Sequence, residues 1–457
     1  MQGVQSGSRS RGIGRYTLAL TNALIRTNSC NEIILLFNGL FPDSIEWARS
    51  YFAGKLPQEN IRVWTTTGPV DYFNDRNSLN RKVSELIREA SILSLNPDIV
   101  LISSLFEGTT ENVVTSINKF THDLRTAAIV YDLIPLIHQD NYLPDARTKK
   151  WYMEKVAYIE KADILLAISE SSREEALSNL RITPHKITNI SSAVDEIFFN
   201  NVTDVKLIKD THVKFGIIKP FVFYFGGSDI RKNLPRLISV YAKLPKIIRD
   251  NHQLVIAGAI PQGDEIILKE HAGKIGLRGT EILFFSFIND SQLIALYQSC
   301  KCFVFPSWHE GFGLPVLEAM SCGAPVIASN MTSIPEIICN QEALFNPFDD
   351  QSIYEKIHKV LTNDDFRQKL IEHGLRQCKY FSWDLTAERT FSAFEESIKR
   401  VTAKSPTKSY RSNPLNSNEI ISRLVRKIVA LPNLKKNQQF LLNLAYAIDF
   451  SIANDGM

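Results

Sequence analysis

Long hydrophobic runs are missing from this 457-residue chain. No stretch approaches the ~18 apolar residues of a membrane-spanning helix, and the residues after Met1 are polar, unlike a signal peptide. A soluble, intracellular protein is expected. Neither sign of charge dominates, since 52 Lys and Arg stand against 49 Asp and Glu for a net +3. A nucleic-acid-binding domain would be clearly basic, so no nucleic-acid partner is expected. The bias that exists lies at the C-terminal end, where nine Lys or Arg from Arg400 onward meet only three acids, giving +6 there and −3 elsewhere. Such a tail reads first as a solvated surface and second as a contact for acidic lipid or a partner. Cysteine is scarce: Cys30, Cys300, Cys302, Cys322, Cys339 and Cys378 are scattered. Cys300 and Cys302 lack the two-residue gap of a zinc knuckle or redox pair, so six reduced structural thiols are expected. No Asp-x-Asp follows a strand, and Asp349-Asp350 and Asp364-Asp365 read as helix caps. No metal site is expected. Internal repeats at periods of about 20–50 residues are also absent.

What is present is alternation. Short β-branched or aromatic runs at Glu32–Phe37, Ile61–Trp64, Asp98–Ile102, Thr126–Tyr131 and Asp163–Ile168 are separated by amphipathic stretches. A second series follows at Phe221–Phe225, Gln253–Ala257, Ile282–Phe285, Cys302–Phe305 and Pro325–Ala328. Helical periods fall at Leu79–Leu95, Thr148–Glu160, Ser172–Leu180 and Leu234–Leu244. Continuous apolar strands alternating with helices predict parallel sheets covered on both faces. The fold class is therefore α/β with two doubly wound, Rossmann-like domains, placed at residues 1–195 and 215–385. The break near Ser192–Lys219 shows no long helical pattern. Residues 386–404 read as a closing helix and 405–457 as a basic linker with a helical extension, Glu419–Ala430 and Gln438–Ile452.

The densest signal runs from Pro306 to Glu318, Pro-Ser-Trp-His-Glu-Gly-Phe-Gly-Leu-Pro-Val-Leu-Glu. A buried strand ends, a loop with Gly311 and Gly313 follows, and Pro315 sits where a helix begins. This is the carboxyl end of a parallel strand, where open α/β sheets bind ligands, and a helix N-terminus there favours anions. Glu310 in the loop and Glu318 one turn into the helix suit hydroxyl groups of a sugar and a ribose. A second loop, Phe225-Gly226-Gly227-Ser228-Asp229-Ile230-Arg231-Lys232-Asn233, places two cations behind a glycine pair, an anion-site pattern.

The 306–318 segment resembles the E-x7-E signature of the retaining family 4 (group 1) glycosyltransferases, and residues 225–233 are similar to that family's donor-phosphate loop. The likeness spans roughly residues 1–400 and implies the two-domain GT-B fold around a central cleft. It implies Glu310 as the residue on the transferred sugar and Glu318 on the ribose. The amides of Phe312, Gly313 and Leu314 would meet sugar or diphosphate, with Gly227, Arg231 and Lys232 at the diphosphate. Arg11-Gly12-Ile13-Gly14-Arg15-Tyr16 resembles the first domain's glycine loop, which brings in Gly12 and Gly14. Tyr131 stands where many relatives have a histidine; His122 and His138 read as surface residues, and Asp132 is kept as an orienting catalytic group. The opening residues and Tyr131–Leu136 look most like bacterial mannosyltransferases that build O-antigen and other surface polysaccharides.

The implied reaction moves a sugar, preferentially mannose from GDP-mannose, to a lipid-linked glycan in the cytoplasm, with peripheral association at the inner membrane face. No cofactor beyond the nucleotide-sugar co-substrate is implied. The alternative is a non-catalytic sugar-nucleotide-binding module of a polysaccharide-synthesis complex. A nucleotide-dependent dehydrogenase would need Gly-x-Gly-x-x-Gly directly after a strand, which neither series has. One further expectation concerns the ends: residues 2–10 are unlike a buried strand, so the first domain's first strand reads as missing, and the chain as a fragment or one with an upstream start.

Overall fold

The computed structural model describes residues 1–10, 12–28, 30–120, 124–199 and 204–404. Arg11, His122, the basic linker and the two extension helices predicted at Glu419–Ala430 and Gln438–Ile452 lie outside the described residues. The described residues divide into two units: Met1–Ile168 with Arg173–Ile190 and the helix from Trp383, and Ser169–Ser172 with Ser191–Ser382.

Among the described residues the first unit has six strands, β1 (Leu35–Asn38), β2 (Ile61–Trp64), β3 (Val100–Ile102), β4 (Thr126–Val130), β5 (Ile164–Ala167) and β6 (Ile187–Asn189), each parallel to its paired neighbours. They form a β1-β2 pair and a four-stranded sheet β3-β4-β5-β6. Residues 2–10 are not a strand but two 3-10 turns, Gln2–Val4 and Gly7–Ser10. Side-chain amides there do what a strand's backbone would do. Gln5 accepts from Asn38 N–H at 2.8 Å and donates to Asn38 O at 3.0 Å, while Gln2 Oε1 accepts from Val114 N–H at 2.8 Å. Buried backbone groups at the end of β1 and beside Val114 are thus satisfied by glutamines, as buried polar groups must be. Val4 packs with Leu35, Phe37 and Phe52 in the same cluster.

The second unit has one six-stranded parallel sheet, ordered β12-β11-β10-β7-β8-β9. Its strands are β7 (Phe221–Phe225), β8 (Gln253–Ala257), β9 (Ile282–Phe285), β10 (Cys302–Phe305), β11 (Val326–Ser329) and β12 (Leu344–Phe345). β7, β8, β9 and β10 fall on their predicted residues. The two short strands β6 and β12 were not predicted, being too brief to carry a period. β10 is buried along its whole length, because helices cover both faces of a doubly wound sheet. Phe303 packs edge-on to Phe223 at 5.9 Å and to Tyr297 at 5.3 Å. Cutting Phe303 to Ala should cost about 3–5 kcal/mol of stability through cavity formation. Urea unfolding measures it, and an unchanged midpoint would contradict the central place of β10.

One expectation fails. The break near Ser192–Lys219 contains an 11-residue helix, Val205–Phe215. Asp204, within the stretch read as a break, is its N-cap and accepts from Leu207 N–H, and Gly216 closes it in the left-handed conformation at φ 65°. Asp349, read as a cap, does cap the helix Asp350–Thr362, whereas the helix Asp364–Gln377 is capped by Asn363, with Asp364 and Asp365 in its first turn. All six cysteines are free thiols. Among the described residues no helix is long and apolar enough to cross a membrane.

Candidate active site

Three loops meet at the carboxyl edge of the second sheet. The first follows β7. Gly258, after neighbouring β8, lies so near that a Cβ on it would stand 2.1 Å from Gly226 O, at φ 131°. Only glycine fits there, which lets the two loops pass each other. Tyr224 Oη donates to Gly227 O at 2.8 Å and shapes the glycine pair from below. Asp229 then caps a single 3-10 turn, Ile230–Lys232, by accepting from Arg231 N–H.

The second loop follows β10 and is hydrogen-bonded to that turn. Trp308 N–H and the Ser307 hydroxyl both donate to Arg231 O, at 2.9 and 3.0 Å, and Arg231 Nη1 donates to His309 O at 3.1 Å. The loop ends at Gly313, the N-cap of the helix Leu314–Ser321, with φ 113° and Pro in the first turn. A side chain at Gly313 would strike Ile334 Cδ1 at 2.5 Å. The third loop follows β11 and braces the second. Thr332 Oγ1 accepts from Glu310 N–H at 3.0 Å, and the Ser333 hydroxyl donates toward Glu310 O and Phe312 O at 3.0 and 2.5 Å. Thr332 and Ser333 were not foreseen; two adjacent hydroxyls in the loop after β11 were the available signal.

Glu310 is the hub. Its Oε1 lies 2.5 Å from Lys232 Nζ and its Oε2 2.8 Å from Arg231 Nη1. Burial pushes its carboxyl up, but the Lys232 and Arg231 charges and hydrogen bonds outweigh that and hold it below the ordinary glutamate value. That contribution to stability is present above about pH 4.5 and is lost as acid protonates the group. Burial also draws the Lys232 ammonium below its usual value, while Glu310 opposes the shift. Glu318 sits one turn into the helix, half-buried, and accepts from Tyr297 Oη at 3.1 Å. Glu310, Arg231 and Lys232 therefore meet in one strand-end cluster of the second unit, with Gly227 in the first of its loops and Phe312, Gly313 and Leu314 in the second, while Glu318 lies further along the helix beside Tyr297. Among the described residues no group of three or more His, Cys, Asp or Glu is placed to hold a metal.

The first-unit candidates have their own surroundings. Gly12 opens the helix Gly12–Thr27, with open space where a Cβ would be. Gly14 is required by packing: a Cβ would stand 2.3 Å from Ser8 O and 2.5 Å from Arg9 Cα. Asp132 follows β4 and accepts from Ile134 N–H at 3.1 Å. Tyr131 Oη donates to Ser103 O at 2.9 Å and its ring meets Tyr16 edge-on at 5.2 Å. Burial raises the Tyr131 phenol far above its ordinary value, so it stays protonated.

Comparison with known proteins bears on the family and the fold. Residues 209–377 match the family model "Glycosyl transferases group 1". The chain is similar to the serotype-specific mannosyltransferase WbdA of Escherichia coli, 34% identical over 98% of this chain and 52% of that protein. It is also similar to O-antigen chain mannosyltransferase B of Escherichia coli, 27% identical over 84% of this chain and 96% of that protein. The chain thus spans about half the length of the first of these relatives. Among solved structures, a glycosyltransferase from Rickettsia africae aligns with TM-score 0.62 at 19% identity, covering 86% of this chain and 96% of that one. Anabaena HepE in complex with UDP and glucose aligns with TM-score 0.61 at 15% identity, covering 87% and 98%. These likenesses carry the fold, GT-B.

Proposed function

The chain belongs to the group 1 glycosyltransferases, and on that premise we propose that it transfers a hexose from a nucleotide sugar to a growing surface polysaccharide with retention at the anomeric carbon. The observation that carries the reading is the Glu310–Lys232–Arg231 cluster at the end of β10, beside the N-terminus of the helix Leu314–Ser321. A nucleoside diphosphate is a good leaving group. Its departure needs positive charge and positioning more than a strong acid. Lys232, Arg231 and the amides of Phe312, Gly313 and Leu314 supply that charge, Glu318 holds the ribose, and Glu310 holds the hydroxyls of the departing sugar. No metal ion enters this scheme, because cationic side chains and the helix N-terminus take the role a metal has elsewhere.

The preferred donor is GDP-mannose and the acceptor a lipid-linked glycan at the inner membrane face. The names of the two Escherichia coli relatives support mannose and O-antigen; the base and the lipid rest on resemblance. Asp132 orients the acceptor side in this proposal. A thermal-shift series decides the base: GDP should raise the melting temperature by more than UDP at equal concentration, as expected for a ligand that binds only the folded state. A larger shift with UDP would replace the donor and leave the reaction class intact. The second reading, a non-catalytic binding module, draws on Tyr131, whose hydroxyl already serves Ser103 O. Transfer of labelled mannose from GDP-mannose separates the two.

A further inference from the structure

The two cations that this reading gives to the diphosphate are already engaged. One carboxylate spans both, with Glu310 Oε1 at Lys232 Nζ and Oε2 at Arg231 Nη1. Asp229 Oδ1 stands 3.3 Å from Arg231 Nε. Two positive and two negative charges therefore cancel inside the cluster. The Lys232 and Glu310 side chains are 11% and 10% exposed, so water screens their attraction weakly. A diphosphate reaching this place meets a carboxylate where its own oxygens must go, and two anions cannot share the same donors without cost. The backbone at Glu310 is held independently of its side chain, by Thr332 on its N–H and Ser333 on its carbonyl. The carboxylate can thus leave the cations while the loop stays in place.

Resting on the proposed reaction, we propose that Glu310 competes with the donor's diphosphate for Lys232 and Arg231, and that the arriving diphosphate releases Glu310 to the sugar. The sugar contact is then formed only when the leaving group is seated. Hydrolysed or truncated donors lacking a diphosphate leave Glu310 in its closed position. A residue of the reaction thereby also sets the affinity of the leaving group, and with it the retention of the nucleoside diphosphate product.

The test is calorimetric titration of inorganic pyrophosphate, GDP and guanosine into the full chain and two variants. Glu310→Gln removes the competing charge and should tighten pyrophosphate and GDP about tenfold, the size of one charged hydrogen-bond contact, with guanosine unchanged. Asp229→Asn acts at a half-exposed position, keeps an oxygen to cap Arg231 N–H, and should tighten pyrophosphate by about two- to threefold as a rim charge. Affinities for pyrophosphate that are unchanged or weaker in both variants overturn the competition while leaving the reaction intact. Pyrophosphate and GDP that bind none of the three proteins overturn the reading of the site, and the competition with it.

Discussion

Replacing Glu310 by Gln is expected to lower the turnover of sugar transfer by about 10²–10³-fold, the usual size for losing one preorganised electrostatic contact to the reacting group. The carboxylate is buried, fixed at both backbone ends by the loop after β11, and aimed into the strand-end cluster. Gln keeps the shape and loses the charge that sugar hydroxyls and developing positive charge require. Glu318→Gln is expected to act differently. Glu318 lies in the helix and is shared with Tyr297 Oη, so its loss should raise the donor KM and leave kcat within a few-fold. Steady-state kinetics with labelled donor distinguishes them. Equal, small effects of both substitutions would remove Glu310 from the reaction.

Lys232→Ala carries the second large effect. Its ammonium is the more deeply buried of the two cations and lies 5.2 Å from the Phe305 ring centroid, which fixes its position over β10. Losing a buried contact to a charged ligand costs about 1.5–3 kcal/mol, or roughly 10–150-fold in affinity. The loss should fall on GDP and pyrophosphate and spare guanosine, because the missing charge faces phosphate rather than base. The same substitution leaves Glu310 with Arg231 as its cation partner in the cluster, and a buried carboxylate with fewer partners is destabilising. A lowered urea midpoint is therefore expected alongside the weakened binding. Uniform loss of affinity across nucleoside, diphosphate and pyrophosphate would take Lys232 away from the phosphates.

Much of this was legible from residues alone. β10 is a run of four buried apolar residues followed by Pro, Gly and Pro at set intervals, and such a segment has few other conformations open to it. The same holds for β7 and its glycine pair. Local rules sufficed because burial of a parallel strand on both faces writes a continuous hydrophobic run into the chain, and a helix start after a strand writes Gly and Pro. The helix Val205–Phe215 escaped this reading because Val205 and Val213 are exposed. Its apolar period therefore does not mark a single buried face, and Asp204 serves equally as a breaker or a cap until the following turn is seen.

Tertiary structure alone decided which residues meet. Nothing in the sequence distance between Lys232 and Glu310 says that they form an ion pair; the adjacency of β7 and β10 in the sheet does. Gly14 looked like a ligand-loop glycine and is needed for the passage of Ser8 and Arg9, and only packing shows that Gly258 is the residue that lets the β7 loop pass. Residues 2–10 looked unlike a buried strand, and only packing shows that Gln2 and Gln5 satisfy the backbone at Val114 and Asn38. Elements follow from short-range sterics and the burial period, which any window of the chain carries. Partners follow from strand order and from where unsatisfied polar groups end up, and those are settled only when segments far apart in the chain are packed against one another.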